Sequence, residues 1–371
     1  MTPLQWNKIL LEEWLTIRIF LSLIMLCILI GCSNPDDSFQ QTNPTENDLT
    51  YEVVMTNLQE PWEIEMQNKQ FFISERNGFI VEIADGDMRR VPVALEKTLS
   101  NQPEAGLLGI AIPSEFRDRA FAYYSYADDQ AYYQRVVEIK RTKDQWEESK
   151  VLIDQIPGGQ YHQGGRIQIG PDDKLYITTG DASIPELAQD VASLAGKILR
   201  MNLDGSVPSD NPFPNSYIYS YGHRNPQGLA WDSDGNLYAT EHGQTAHDEI
   251  NQIGKGNNYG WPVIEGDEIS EGMETPIVHS GEDTWAPSGM SYLDETFYFA
   301  SLRGEGIRQF NPDTKQVKLV FSDVGRVRGV LATDEGLYAI TNNTDGRGNP
   351  AEDDDKLLFI PFDMLSELPS E

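Results

Sequence analysis

From residue 50 onward the chain repeats one short pattern, a polar turn followed by an apolar strand that carries an aromatic residue. The clearest copies are PDDKLYITT (171–179), DSDGNLYATE (232–241), LDETFYFAS (293–301) and TDEGLYAIT (333–341), with weaker ones, NKQFFISE (68–75) and RAFAYYSYA (119–127), ahead of them. Between the markers Phe72, Tyr123, Tyr176, Tyr238, Tyr298 and Tyr338 the separations are 51, 53, 62, 60 and 40 residues. A unit of that size holds four short strands and cannot bury its apolar faces alone, so consecutive units must stack. Helical periodicity is nearly absent beyond the N-terminal segment, with Glu186–Leu194 the one short candidate, and Gly, Pro, Asn and Asp punctuate the rest. The reading is an all-β chain, a six-bladed β-propeller of four-stranded antiparallel blades over residues 50–364. A pair of β-sandwiches fits less well, because the repeat runs through the midpoint. Closure would pair Tyr51–Met55 with Lys356–Pro361 and remove the edges an open sheet leaves exposed.

The N-terminal region reads differently. Arg18 precedes an apolar run from Ile19 to Ile30 that ends at Leu29-Ile30-Gly31-Cys32. The run is short for a membrane span, and a small residue followed by cysteine is the pattern of a bacterial lipoprotein cleavage box. Residues 1–32 are therefore expected to be a signal segment, 33–49 a flexible polar linker, and 365–371 a C-terminal tail. Cys32 would carry the lipid and tether an exported domain to the outer face of the cell membrane. Cys27 would leave with the signal, so the exported domain has no disulfide and must be held by packing or metal. A net charge of −31 makes nucleic acid and anionic lipid surfaces poor partners.

In a propeller the loops at one end converge on the axis, and His162, Arg224, His242, Arg303 and Arg328 each fall near the end of a different candidate strand. Arg326 and Arg328, two apart, face the same way on an extended strand, and Arg303 occupies a similar place one unit earlier. Basic residues gathered at an opening in so acidic a chain suit an anionic ligand gripped by forked guanidinium groups, although each arginine could equally pair with one of 59 carboxylates. His162 is followed by Gln163-Gly164-Gly165, a turn that leaves an imidazole at a rim, where it can act as a general base near neutral pH. Asp181 could orient that ring or Arg224, or be an ordinary turn residue. The segment EHGQTAHDEIN (241–251) offers carbonyls at Gly243 and Gln244 and the acids Asp248 and Glu249, hard oxygen donors that suit calcium far better than zinc. GNNYGWP (256–262) brings Tyr259 and a tight turn beside it.

Seven segments in order resemble the soluble glucose and sorbosone dehydrogenase family: GLLGIAIPSEF (106–116), HQGGRIQIGPDDKLYITTGD (162–181), GKILRMNLDGSVPSDNPF (196–213), YGHRNPQGLA (221–230), EHGQTAHDEINQIGKGNNYGWP (241–262), SLRGEGI (301–307) and RVRGVLATDEG (326–336). The resemblance implies a six-bladed propeller that uses pyrroloquinoline quinone (PQQ) and Ca2+ to oxidise aldoses at the anomeric carbon to lactones. It further implies His162 as the base and Arg224 as the cation beside the reactive carbonyl, supported by Asn225 and Asp181, with Arg326 and Arg328 on the cofactor carboxylates. Gly243 and Gln244 would give main-chain oxygens to one calcium and Glu249 and Tyr259 would serve a second, with Asp248 a neighbouring acid and a further candidate ligand. Two cofactor-side positions depart from the family pattern: Glu104 stands where members often carry glutamine, and Arg303 where they often carry lysine. A carboxylate at 104 repels a tricarboxylate unless it is protonated or turned toward a cation. The short stretch between Trp261 and Trp285 matches the compact aldose sugar dehydrogenases and implies an open pocket. An electron acceptor is needed, which the sequence does not identify. Two other functions suit the same architecture, a calcium-dependent lactone hydrolase and a binding module without catalysis.

Overall fold

The structure, a computed structural model, describes residues 51–115, 118–128 and 131–365. The expected signal segment, linker and all but Leu365 of the tail lie outside them. The described chain is all-β. Four sheets have four strands each and a fifth has eight.

The architecture is built from pairs of strands. β2 (Pro61–Gln67) pairs with β3 (Gln70–Glu75), β6 (Leu107–Ala111) with β7 (Arg119–Ala127), and β10 (Ile167–Ile169) with β11 (Lys174–Thr179). Likewise β14 (Pro226–Trp231) pairs with β15 (Leu237–Glu241), β18 (Pro287–Leu293) with β19 (Thr296–Ser301), and β22 (Val327–Thr333) with β23 (Gly336–Thr341). Each of the six aromatic markers of the repeat lies on the second strand of one of these pairs. Contacts run round a ring: β2 touches β6, β6 touches β10, β11 touches β14, β14 touches β18, β18 touches β22, and β22 returns to β2. Between successive sheets lie the apolar clusters, such as that of Trp62, Tyr123, Ile177 and Leu199.

Closure takes the expected form, since β1 (Glu52–Met55) pairs antiparallel with β24 (Leu357–Pro361) and joins the first strand to the last sheet. The eight-stranded sheet departs from the expected separate four-stranded units. It consists of two meanders joined where β5 (Asp87–Ala94) and β9 (Trp146–Pro157) pair in parallel through Val93↔Trp146 and Ala94↔Glu147. Trp146 explains the join. It is fully buried, packs edge-on against Phe72 of the other meander at 6.4 Å, and donates its indole N–H to Glu82 at 3.2 Å. Burying an indole of that size contributes about 2–3 kcal/mol, more than two ladder bonds.

The helical candidate at 186–194 is also corrected, because only Pro185–Ala188 forms a short 3-10 turn. The Asp190 carboxylate and the Ser193 hydroxyl accept the amides of Ala192 and Ala195 and draw the backbone into turns instead.

Candidate active site

Antiparallel pairing puts the start of each first strand beside the end of its second strand. The partners Pro226↔Glu241, Pro287↔Ser301 and Val327↔Thr341 all lie at this rim. The loops carrying Glu104, His162, Asp181, Arg224, His242 and Arg326 open from that same end.

Five of the six first strands carry a bulge there: the register shifts between Pro61 and Glu63, Leu107 and Ile110, Pro226 and Gly228, Pro287 and Met290, and Val327 and Gly329. A bulged residue has no cross-strand partner, and the local twist re-aims its side chain. Trp62, Leu108, Gln227 and Arg328 occupy such bulges, and all four line one pocket together with Arg76, Glu104, Gln163, Gly164, His242 and Arg347. Sequence reading singled out Arg328 among the four. The others could not be found from spacing, because a bulge is a property of two strands together.

Arg328 is buried, and among the described residues its guanidinium touches no carboxylate. It donates to Gln227 Oε1 at 2.9 Å, to Ser288 Oγ at 3.4 Å and to Asn342 Oδ1 at 3.0 and 3.2 Å. Burial pushes it down to about 9, the neighbouring Asp345 resisting. A cation in a dry site with only neutral acceptors is costly unless an anion joins it. Trp62 forms the floor, with Arg166 over its ring at 4.2 Å and Arg328 at 5.9 Å.

His162 takes φ +61°, the left-handed conformation that turns its ring away from the strand that follows. Its Nδ1 lies 2.7 Å from Asp181 Oδ1, and its backbone N–H donates to Glu104 Oε2 at 2.9 Å. Asp181 is wholly buried. It accepts the Trp261 indole N–H at 2.9 Å and the Ser183 amide at 2.8 Å, and its own amide donates to Arg224 O at 2.8 Å. Asn225 joins the same group by accepting the Gly164 amide at 3.0 Å. Asp181 is thus no ordinary turn residue, since it binds the loops of His162, Arg224 and Trp261 together. Gly180 tolerates no side chain, as a Cβ there would sit 1.9 Å from His162 O.

Arg224 lines an adjoining compartment with Glu241, His242, Gly243, Glu249, Tyr259, Trp261 and Glu265. Its guanidinium lies 5.4 Å from the Trp261 ring and donates to His242 O at 3.3 Å, while Nε is buried without a partner. Burial lowers its pKa, with Asp181 and Glu241 pulling the other way. His242 belongs to both compartments. Its Nε2 is buried and unpartnered, and burial pushes the ring down to about 4.

Of the expected metal residues, Gly243 and Gln244 form the turn after β15, with Gly243 N–H on Asp248 Oδ1 at 3.0 Å and Gln244 N–H on Glu265 at 2.8 Å. Asp248 is buried, and its second oxygen accepts Thr284 Oγ1 at 2.8 Å and the amides of Trp285 and Ala286 at 2.6 and 2.8 Å. That carboxylate braces two loops. Glu249 faces Glu241 across β15 and β16 (Glu249–Ile253), and burial, then Glu241, push it up to about 8. The Tyr259 hydroxyl donates to Gln252 O at 2.6 Å and accepts the Gly254 amide at 2.7 Å. Among the described residues no three His, Cys, Asp or Glu side chains converge on a metal position, so main-chain oxygens must supply part of any cation site.

Arg326 is buried with Asp345 at 2.9 Å, beside Arg328 but already paired, its Nε lacking a partner. Arg303 stands exposed on the turn after β19, and its neighbour Leu302 is the residue that reaches the pocket. Sequence reading missed Arg347, which lies in a polar loop and pairs with Glu104 at 3.2 Å, and Trp261, whose indole faces Asp181.

The chain is similar to several known proteins. The PQQ-bound form of the aldose sugar dehydrogenase of Streptomyces coelicolor superposes with a TM-score of 0.77 at 36% identity, over 83% of this chain and 96% of that one. The aldose sugar dehydrogenase YliI of Escherichia coli is 28% identical over 345 residues, 80% of this chain and 91% of its own. Quinoprotein glucose dehydrogenase B of Acinetobacter calcoaceticus is 34% identical over 250 residues, 58% of this chain and 52% of its own. The family model described as Glucose / Sorbosone dehydrogenase matches residues 58–351, which include every loop that builds the two compartments, and the chain belongs to that family.

Proposed function

We propose that this protein oxidises aldose sugars at the anomeric carbon to lactones, using PQQ and Ca2+, on a six-bladed β-propeller in which the eight-stranded sheet counts as two blades. Arg328 carries the reading. A buried guanidinium held only by neutral oxygens fits a carboxylate-bearing guest, and the unpartnered Arg224 Nε and His242 Nε2 offer further polar atoms beside it. PQQ-bound and quinoprotein relatives supply the class of guest.

In this reading Arg328 and Arg326 would grip the cofactor carboxylates, with Glu104 and Asn225 around them and Arg303 outside on its exposed turn. Main-chain oxygens of Gly243 and Gln244 hold the Ca2+ beside the cofactor. Glu249 and Tyr259 serve a second Ca2+, with Asp248 bracing the loop between. A divalent cation suits the acid-lined compartment of Glu241, Glu249 and Glu265, since it would offset their mutual repulsion. PQQ, when bound, supplies the acceptor for the two electrons that leave the sugar. His162 takes the proton of the anomeric hydroxyl at Nε2, because Asp181 holds the other ring nitrogen. Arg224 sets a fixed positive charge toward the compartment, where it stabilises negative charge as it develops. The electrons pass on to an acceptor outside the protein, and a lipid on Cys32 holds the domain at the outer face of the cell membrane.

The test mixes apoprotein with PQQ and Ca2+ and adds aldoses with a dye acceptor. Dye reduction that is lost in His162→Ala supports the reading. PQQ binding without turnover would leave a binding module, and lactone hydrolysis without the quinone would make the protein a hydrolase.

A further inference from the structure

Glu104 and Arg347, 243 positions apart, meet at the mouth of the pocket with Arg347 Nη1 3.2 Å from Glu104 Oε1. The other carboxylate oxygen accepts the His162 amide at 2.9 Å, so one acid is tied at one end to a cation and at the other to the backbone of the candidate base. Arg347 is itself placed. Its amide donates to Asp345 Oδ1 at 3.0 Å, and Asp345 Oδ2 holds Arg326.

Among the described residues lining this pocket, every arginine but Arg328 has a carboxylate partner, and so has Arg326 beside it. Arg76 has Glu60 at 3.0 Å, Arg326 has Asp345 at 2.9 Å, and Arg347 has Glu104 at 3.2 Å. Arg328 has only Gln227, Ser288 and Asn342. Take Arg347 away and Glu104 becomes an uncompensated negative charge in the wall that should receive an anion. It would cancel the attraction Arg328 exerts.

We propose that Arg347 is a positioning and charge-compensating residue of this site: it neutralises Glu104 and holds that carboxylate on the His162 amide, so that a pocket with an acid at its mouth admits a polycarboxylate. The proposal rests on the PQQ reading above. It reconciles Glu104 with an anionic guest by a cation from a distant loop.

The experiment titrates PQQ into apoprotein with Ca2+ and follows binding by quenching of tryptophan fluorescence, with thermal unfolding as the folding control. The proteins are the unaltered chain, Arg347→Ala, Arg347→Lys, Glu104→Gln, the Glu104→Gln/Arg347→Ala pair, and Arg89→Ala, an exposed arginine elsewhere that controls for net charge. Arg347→Ala is expected to weaken binding roughly tenfold or more, Arg347→Lys and Arg89→Ala to stay within about threefold, and the double variant to return to within about threefold of the unaltered chain. Equal affinity in Arg347→Ala, or a double variant as weak as Arg347→Ala, overturns the proposal, the latter by showing that Arg347 grips the guest directly. An unaltered chain that binds no PQQ brings down the cofactor reading and this proposal together, whereas binding insensitive to Arg347 brings down the proposal alone.

Discussion

Asp181 Oδ1 lies 2.7 Å from His162 Nδ1, while its Oδ2 accepts the Trp261 indole N–H at 2.9 Å. An ionised carboxylate only accepts, so the proton between the two residues sits on the histidine and Nε2 is left with its lone pair. The acid therefore selects the tautomer that can serve as a base. Asp181→Asn removes that selection. It is expected to lower kcat by about 10²–10⁴ with a smaller change in KM, measured by steady-state dye reduction. An unchanged kcat would remove His162 from the chemistry or Asp181 from its orientation.

Trp261 offers a finer probe, because its ring packs against Arg224 at 5.4 Å and its N–H serves Asp181. Trp261→Phe keeps an aromatic face and deletes the donor. The expected result is a folded protein whose kcat falls about tenfold through a loosened Asp181, with cofactor affinity little altered. A variant that lost binding and kept kcat would instead assign Trp261 to the guest.

Arg328 sets stability against function. Its charge is buried among neutral acceptors and pushed down to about 9, so the fold bears the cost of desolvating it. Arg328→Met, similar in length and apolar, is expected to unfold within about 1 kcal/mol of the unaltered apoprotein and to lose PQQ affinity by at least about a hundredfold. Chemical denaturation and fluorescence titration check the two halves. A large loss of apo stability would show that Gln227, Ser288 and Asn342 need the guanidinium as much as it needs a guest.

How far the sequence anticipates this molecule depends on the range of the interaction concerned. The aromatic markers are local signals of short, largely buried strands, so Phe72, Tyr123, Tyr176, Tyr238, Tyr298 and Tyr338 all fall on second strands, and the closure of β1 on β24 follows from the need to cover an edge. Arg326, Arg328, Arg224, His162 and Asp181 meet at one rim because their positions at strand ends are also local. Trp62 and Gln227 reach the pocket through bulges, which depend on the partner strand's register. Arg347 reaches Glu104 across 243 positions from a loop of Asn, Thr, Asp and Gly that resembles any turn. Arg303 fails to join them because the chain turns outward after Leu302. The fused eight-stranded sheet depends on Trp146 meeting Phe72, a contact between neighbouring repeats that no single repeat predicts.

Lys197 carries the last prediction. It is fully buried, and its Nζ donates to the carbonyls of Leu187, Ala188 and Ala195 at 2.8, 3.0 and 2.7 Å, tying down the loop that leaves Asp181. Among the described residues no carboxylate touches it, and burial pushes it down to about 7, with Asp190 resisting. In the unfolded chain a lysine keeps its proton to about 10.4. Between those limits the unfolded state binds the proton that the folded state has released, so stability rises with pH across the window and this contribution is lost as pH falls back toward 7. Lys197→Met removes the titration. The difference in unfolding free energy between the unaltered protein and the variant is therefore expected to shift in favour of the unaltered protein as pH climbs from about 7 to about 10, by up to about 1 kcal/mol per unit. Urea unfolding at a series of pH values measures it. A difference that stays flat would mean that the three carbonyls hold the ammonium charged throughout, the cage then outweighing desolvation.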